Sequence, residues 1–533
     1  MDADIDAERD REGAREAGDR RGGARTVPPR PSLDSLLRGL LAVAAAIAIG
    51  QVVFIALWRC NYPFELEWME GAVVDHVRVV SSGQPLYRAP SIEFTPFIYT
   101  PFYYFVSSLL ARAIGIGFLA PRLVSIASMI ACLALIAGLT RREGASRLAA
   151  LVAAGLFATT YESSGFWMDL ARVDSLFMAL ALAGAYLARH GRSTASAAAC
   201  GVALFLAFFT KQTGLTLAAP ILAAAIAFDR RRGLVAATVF ATLTIGGVAW
   251  MNRATDGWFG FYVFDVPRGH DLRWNQWSRL LVEPFWRPVV VPVLLSAVAF
   301  FSGAAAREGR AVGWFYGGLL AVTLGASYSS MLHADGFANV LIPYYAATSI
   351  VAGVGLDWVL RATAHGSAAR AVVVRLQVFA LVASLAHFGS LAYNPRRALP
   401  RPRDREAGDA MLAKLRAAPG PLLVLGAGYY AARAGHDEIN AHTMALTDVF
   451  KTRDEPRKEA LRRSILDAIR SERYAAVVFD PSLTMLPDEI TSEMRRNYRF
   501  EARLFEPSER SSTWPRTGFA ARPEELWVRK TPR

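Results

Sequence analysis

The ionisable residues of this 533-residue chain that could do chemistry sit in short polar stretches between apolar runs. Glu67 and Glu70 stand three apart in FELEWMEGAVV, so a helix starting there carries both on one face near the positive end of its dipole. Carboxylates so placed stay ionised, and such a pair can act as a general base toward an acceptor hydroxyl or amine; helix capping is the plainer alternative. Asp169, Arg172 and Asp174 follow in FWMDLARVDSLF, at the edge of two apolar runs, as interfacial anchors or as part of the same site. Lys211, in FLAFFTKQTGLTLAAP, interrupts a long apolar stretch. An ammonium costs about 2.5–3.5 kcal/mol in a bilayer, so an anion should meet it. At the end of one helix and the N-terminus of the next it can hold a phosphate, or it snorkels to the headgroups.

Further along, residues 252–285 combine Trp258, Phe259, Phe261, Tyr262, Trp274 and Trp277 with Arg253, Arg268, His270, Asp271 and Arg273. Rings with arginines suit a lipid-phosphate or sugar-binding rim, and equally an interfacial belt. The turn SSMLHADGFANVLIPYY offers His333, Asp335 and Asn339, which with Tyr99 are the candidates for contacting a sugar.

The elements that must position these residues are helices in a membrane. The chain is 53% hydrophobic with mean hydropathy +0.25, too apolar for a soluble protein of this length. Apolar runs occur at 36–58, 121–139, 148–167, 173–189, 195–210, 213–228, 233–251, 286–303, 311–331, 337–360 and 371–393, predicting about 11 transmembrane helices. The first is longer than a signal-peptide core and lacks a cleavage site, so it stays as an anchor. Alternate connections are basic: Arg141, Arg142 and Arg147; Arg189 and Arg192; Arg230, Arg231 and Arg232; Arg307 and Arg310; Arg361 and Arg370. By the positive-inside rule these and the N-terminal flank are cytoplasmic, which puts the acids, Lys211 and the C-terminal region outside. The scheme requires the aromatic segment 96–117 to be interfacial or re-entrant rather than spanning. Within residues 59–96, Val73, Val77 and Val80 predict a membrane-surface helix.

The net charge of +13 lies in these clusters rather than on one solvated surface, which argues against nucleic-acid binding. Residues 1–35 lack the apolar side chains to build a core and read as a disordered cytoplasmic tail. After the Pro/Arg-rich stretch NPRRALPRPRDREAGD, residues 396–533 read as a small extracytoplasmic α/β domain, with strands at 422–425, 475–479, 498–505 and 525–529 and a helix at 459–470. Its GAG after a strand is a weak nucleotide signal. His436 and His442, flanking Asp437 and Glu438, read as a solvated loop rather than a metal site. Cys60, Cys132 and Cys200 have no spacing that suggests a disulfide framework or a metal.

Over residues 36–395 the chain resembles the GT-C superfamily of membrane glycosyltransferases, close to the aminoarabinose-transferase and protein-mannosyltransferase type. The resemblance rests on MEG at 69–71 followed by SGQPLY at 82–87, on Asp174 in ARVD and on Lys211 in TKQTG. Met69 stands where the family often has Asp, so the resemblance gives the base role to Glu70 or, failing that, Glu67. It implies inverting transfer of a sugar from a polyprenyl-phosphate donor to a glycan, lipid or protein acceptor in the cell envelope, outside the cytoplasmic membrane. Asp174 matches the second-loop acid, while Lys211, with Arg172 or Arg268, stabilises the leaving phosphate. No Asp-rich metal motif occurs, so no cofactor is required and a divalent cation stays open. A transporter or flippase for a lipid-linked substrate, or a non-catalytic envelope assembly protein, are the competing classes; the chain shows no internal repeat of the kind common in transporters.

Overall fold

The computed structural model describes residues 32–303, 307–436, 439–471, 473–509 and 511–530. Most of the predicted tail lies outside these residues. The first helix, α1 (Leu33–Arg59), starts at Ser32, whose Oγ accepts the Ser35 N–H at 3.2 Å. After it come α2 (Glu70–Ser81), α3 (Phe102–Ile114), α4 (Leu119–Arg142), α5 (Arg147–Thr159), α6 (Asp174–His190), α7 (Thr194–Thr210), α8 (Gly214–Phe228) and α9 (Arg230–Ala254). An irregular stretch with short helical turns leads to α10 (Trp277–Phe285), α11 (Val290–Gly303), α12 (Arg307–Leu332), α13 (Ile342–Arg361) and α14 (Ser367–Ser390).

Every apolar run seen in the sequence carries one of these helices. Among the described residues, six helical stretches are long and apolar enough to cross a membrane: 33–59, 119–142, 230–254, 274–301, 338–361 and 367–397. The others are shorter or less apolar. Helix α3, in the aromatic segment, has 13 residues and is about 20 Å long, against the roughly 30 Å of a hydrocarbon core. It lies against α2 and α4.

The basic connections gather at one end of the helical bundle. Arg189 donates to Glu143 at 3.0 Å, Arg232 to the Gly191 carbonyl at 2.6 Å and Arg361 to the Gly144 carbonyl at 2.8 Å. Asp357 accepts the Ser146 N–H at 2.7 Å, tying α13 to the start of α5.

The opposite end is capped by the C-terminal region. It comprises α15 (Pro402–Ala417), a four-stranded sheet, and helices α16 (Tyr429–Arg433), α17 (Thr443–Phe450), α18 (Glu455–Arg470) and α19 (Asp488–Asn497). The strands are β1 (Leu422–Leu423), β2 (Ala476–Phe479), β3 (Tyr498–Arg503) and β4 (Glu525–Arg529), in the order β1-β2-β4-β3. Only β1 and β2 are parallel; the other two pairings are antiparallel. All four predicted strands and the predicted helix form. Half of the Pro/Arg-rich stretch is helical, because Asp404 in the first turn of α15 is held by Arg401 and Arg516.

Helix α2 is the principal departure from expectation. Its valines do face a core, but the helix is enclosed on nearly every side rather than lying on a membrane surface, and Glu70, Asp75 and His76 are all buried. Helix α3 and the cap enclose it between them. Trp68, Val73 and Phe97 share one hydrophobic core with Leu446, Val449, Ile465 and Tyr498 of the C-terminal region. A Cβ on Gly71 would meet the Glu65 Oε1 at 2.3 Å and the Tyr429 Cβ at 3.0 Å, so only glycine admits this approach.

Candidate active site

Glu70, the first residue of α2, has all its acceptor positions taken. Its Oε1 accepts from Arg122 Nε at 2.9 Å and the Ala171 N–H at 2.8 Å, and its Oε2 from Arg122 Nη2 at 2.7 Å and the Leu66 N–H at 2.8 Å. Burial alone would raise this carboxyl, but the fork of Arg122 and the backbone donors outweigh it and hold it below the usual range. Both side chains are at most 1% exposed. Glu70 therefore pins the α2 start to α4 and to the loop before α6, and has no free oxygen for a substrate proton. Asp169 is engaged in the same way, by Arg59 at 2.6 and 2.7 Å and by the Tyr161 hydroxyl at 2.6 Å.

Glu67 differs. It lies before the helix rather than in it, and it is fully buried. Its Oε2 accepts the Met69 N–H at 3.2 Å and meets Arg172 Nη1 at 3.5 Å, while its Oε1 has no hydrogen-bond partner in the protein. Burial pushes its carboxyl up to about 8, against the pull of Arg172. The expectation that both carboxylates stay ionised thus holds for Glu70 and fails for Glu67, because burial without a matching set of donors outweighs a dipole that Glu67 is not placed to use.

Arg172 connects Glu67 to the space beyond. Its Nη2 donates to the Tyr99 hydroxyl at 3.0 Å, its guanidinium stacks over Trp167 and Tyr99, and its buried Nε is unpartnered. Lys211 meets the anion its burial demands: Nζ is 2.7 Å from Asp174 Oδ1, which also accepts from Asn339 Nδ2 at 3.0 Å. Asp174 Oδ2 is buried without a partner. The lysine sits where α7 ends, so its backbone N–H still closes the helix while its side chain swings to the start of α6.

These groups border a cavity of about 520 Å³ between the bundle and the cap. Tyr99, Arg172, Lys211, His333, Asp335 and Asn339 line it, so six of the sequence candidates converge on one space. Glu67 lies one layer behind, under Gly518. A Cβ on Gly518 would meet its Oε1 at 2.8 Å, and Gly518 has φ +81°. Arg268 does not join. It is 74% exposed and paired only with Asp265 at 3.3 Å, since the turn at 267–269 aims it outward while Pro267, His270 and Arg273 face in.

Sequence reasoning missed Arg122 and the cap's contribution. A lone arginine at the outer start of an apolar run was the available signal for the first. Nothing local signals the second, because Met444, Asp448 and Met485 reach the cavity only through tertiary packing. Lys451 Nζ is 2.6 Å from Asp335, and His270 Nε2 is 3.1 Å from Asp448 Oδ1. His442 is not in a solvated loop: it is buried against Trp68, with Nε2 2.9 Å from the Trp68 carbonyl and Nδ1 accepting the Met444 N–H. Burial lowers its imidazole to about 4, so it is neutral. His436 contacts the Leu415 carbonyl, and Asp437 and Glu438 lie outside the described residues.

The cavity thus lies end-on between a helical bundle and an α/β cap, with the connection from α1 to α3 as part of its wall. Among solved structures, the chain is similar to ArnT, an aminoarabinose transferase, from Cupriavidus metallidurans in the apo state, with TM-score 0.55 and 14% identity over 92% of this chain and 98% of that one. The same protein bound to undecaprenyl phosphate gives TM-score 0.53 at the same identity and coverage. An Archaeoglobus fulgidus oligosaccharyltransferase aligns more loosely, with TM-score 0.46 and 10% identity over 88% of this chain and 72% of that one. No family model and no curated protein matches the sequence. At such low identity the likeness establishes the fold alone.

Proposed function

We propose that the protein is an inverting glycosyltransferase that moves a sugar from a polyprenyl-phosphate donor to a glycan, lipid or protein acceptor of the cell envelope. The observation that carries this reading is the pairing of a buried carboxylate with a free oxygen, Glu67, and two cations, Arg172 and Lys211, beside one cavity. Glu67 takes the proton from the acceptor hydroxyl or amine as its oxygen or nitrogen bonds to the anomeric carbon. The bond from that carbon to the donor phosphate breaks, and the lipid phosphate leaves with the electron pair. Lys211 and Arg172 stabilise the charge that grows on it, in a site the cap screens from water. Asp174 and Asn339 hold Lys211 in position, so Asp174 is a positioning residue, and Glu70 orders the wall through Arg122. Tyr99 and His333 are placed to contact the sugar. Acceptor entry requires the Gly518 segment to yield, since it separates Glu67 from the cavity. ArnT bound to undecaprenyl phosphate supports a polyprenyl-phosphate ligand for this fold.

The bundle end that gathers Arg189, Arg232 and Arg361 is cytoplasmic on the positive-inside rule, which sets the cavity and cap on the outer face of the inner membrane. The test is a deletion strain whose envelope glycans and lipids are profiled by mass spectrometry. Restoration of a missing sugar by the wild type but not by Glu67→Gln, with equal membrane levels, is the expected result. Full complementation by Glu67→Gln ends the proposal.

A further inference from the structure

Two residues of the cavity wall carry a buried polar atom that no group among the described residues meets, the Trp167 indole N–H and the Gln212 amide oxygen. Trp167, in the connection from α5 to α6, is 3% exposed; its ring packs on Phe337, with centroids 5.0 Å apart, and the Arg172 guanidinium stands over it at 5.2 Å. Gln212 follows Lys211 between α7 and α8, and its Nε2 donates to the Ile98 carbonyl at 3.1 Å, which leaves Oε1 as the free acceptor. An indole N–H only donates and an amide oxygen only accepts, and each is costly to keep buried and unmet. Both stand next to a cation assigned to the leaving phosphate, Trp167 under Arg172 and Gln212 beside Lys211, and the sugar is one bond from that phosphate. Hydroxyls can serve both groups, because each donates and accepts. An ammonium cannot accept from the indole, and against the amide it lacks a counter-charge: the two carboxylates lining the cavity are already met, Asp335 by Lys451 at 2.6 Å and Asp448 by His270 at 3.1 Å. A carboxylate cannot donate to the amide, and against the indole it competes with the phosphate for Arg172.

We propose that Trp167 and Gln212 read the donor's sugar through its hydroxyls, and that this sugar is uncharged. The inference rests on the transferase reading, which puts the donor phosphate at Lys211 and Arg172. The indole donates to one hydroxyl oxygen and the amide oxygen accepts from a hydroxyl, so both wall atoms gain the partner that the fold leaves out. A sugar that lacks either hydroxyl, or carries a charge in its place, strands a buried group or brings an uncompensated charge into the cavity. Such a wall selects by what a wrong sugar leaves unpaired, which discriminates more sharply than apolar fit.

The experiment uses the full chain in detergent and reads binding by calorimetry, without turnover. The probes are undecaprenyl phosphate alone and undecaprenyl phosphate carrying glucose, mannose, galactose, arabinose, 4-amino-4-deoxyarabinose or glucuronate. Expected is that one of the four uncharged donors binds at least about tenfold tighter than the bare lipid phosphate and that the two charged donors gain less. Trp167→Phe keeps a ring under Arg172 and removes the N–H, and Gln212→Met removes the acceptor. Each cuts the sugar-dependent gain about fivefold, the worth of one hydrogen bond, and leaves affinity for the bare lipid phosphate within about twofold, which shows that the variant is folded. The ranking of donors by the wild type needs no variant, so the test stays decisive if one folds poorly. A charged donor binding tightest, no uncharged sugar adding to the bare lipid phosphate, or both variants keeping the full gain overturns the inference and leaves the transferase reading standing. Failure of the wild type to bind undecaprenyl phosphate at all overturns the transferase reading, and this inference falls with it.

Discussion

If Glu67 is the base, its removal and its titration have linked consequences that a structural glutamate would not show. With its carboxyl at about 8, roughly one-tenth is ionised at pH 7, half at pH 8 and nine-tenths at pH 9. Since only the carboxylate accepts the acceptor's proton, kcat/KM of the free enzyme rises about fivefold from pH 7 to 8 and less than about twofold more to pH 9. Glu67→Gln loses about 10²–10⁴ of the rate, the usual worth of a positioned general base, and the residual rate has no limb near pH 8. Stability moves the other way. The folded carboxyl titrates above its ordinary value of 4.5, so between about 4.5 and 8 the native state binds more protons than the unfolded chain and stability falls as pH rises through that window. A neutral glutamine escapes this loss. Glu67→Gln therefore unfolds at a higher temperature than the wild type at pH 9, and the difference shrinks toward pH 5. Transfer to an acceptor by detergent-solubilised protein, followed by mass spectrometry, gives the first readout; thermal unfolding across pH gives the second. A flat wild-type rate profile from pH 6 to 9, or Glu67→Gln retaining more than about a tenth of the rate, refutes the assignment.

Glu70→Gln behaves differently, because it strands the buried Arg122 guanidinium; the loss is about 3–5 kcal/mol of stability, seen as a lower unfolding temperature and reduced membrane levels. Lys211→Gln removes one charged contact to the donor phosphate, worth about 1.5–3 kcal/mol, so binding of polyprenyl phosphate by calorimetry weakens roughly 10- to 150-fold. Arg268→Gln, at an exposed position outside the cavity, leaves both binding and rate within about twofold, consistent with the small worth of surface pairs. Gly518→Ala puts a Cβ at positive φ and against Glu67 and Trp68; the backbone cost is about 1–2 kcal/mol, and transfer activity falls while the buried Glu70–Arg122 pair stays intact.

The sequence pattern predicted what depends on local chemistry and missed what depends on partners. Apolar runs predict helices because a bilayer allows few other structures, and each run did yield one. Four strands in the C-terminal region followed from short apolar segments bounded by turns. The charge asymmetry between alternate connections matches the ends of the bundle, with Arg189, Arg232 and Arg361 at one and Arg172 and Lys211 at the other. Glu67 and Glu70, by contrast, are the same residue type three positions apart, and the motif points to Glu70 first. Their separation into a free acid and a locked one is made by Arg122, which comes from another helix, and by the cap that buries them both. The apolar faces of α2 were legible, but their full burial was not, because α3 covers only part of them and the rest is closed by the cap, more than 300 positions later, where Tyr429 meets Gly71. A three-residue spacing can thus nominate two carboxylates for one role; only the count of donors already committed to each oxygen decides between them. By that count Glu70, with five once the Glu67 N–H is included, is closed to substrate, while Glu67 keeps its Oε1 unclaimed beneath Gly518.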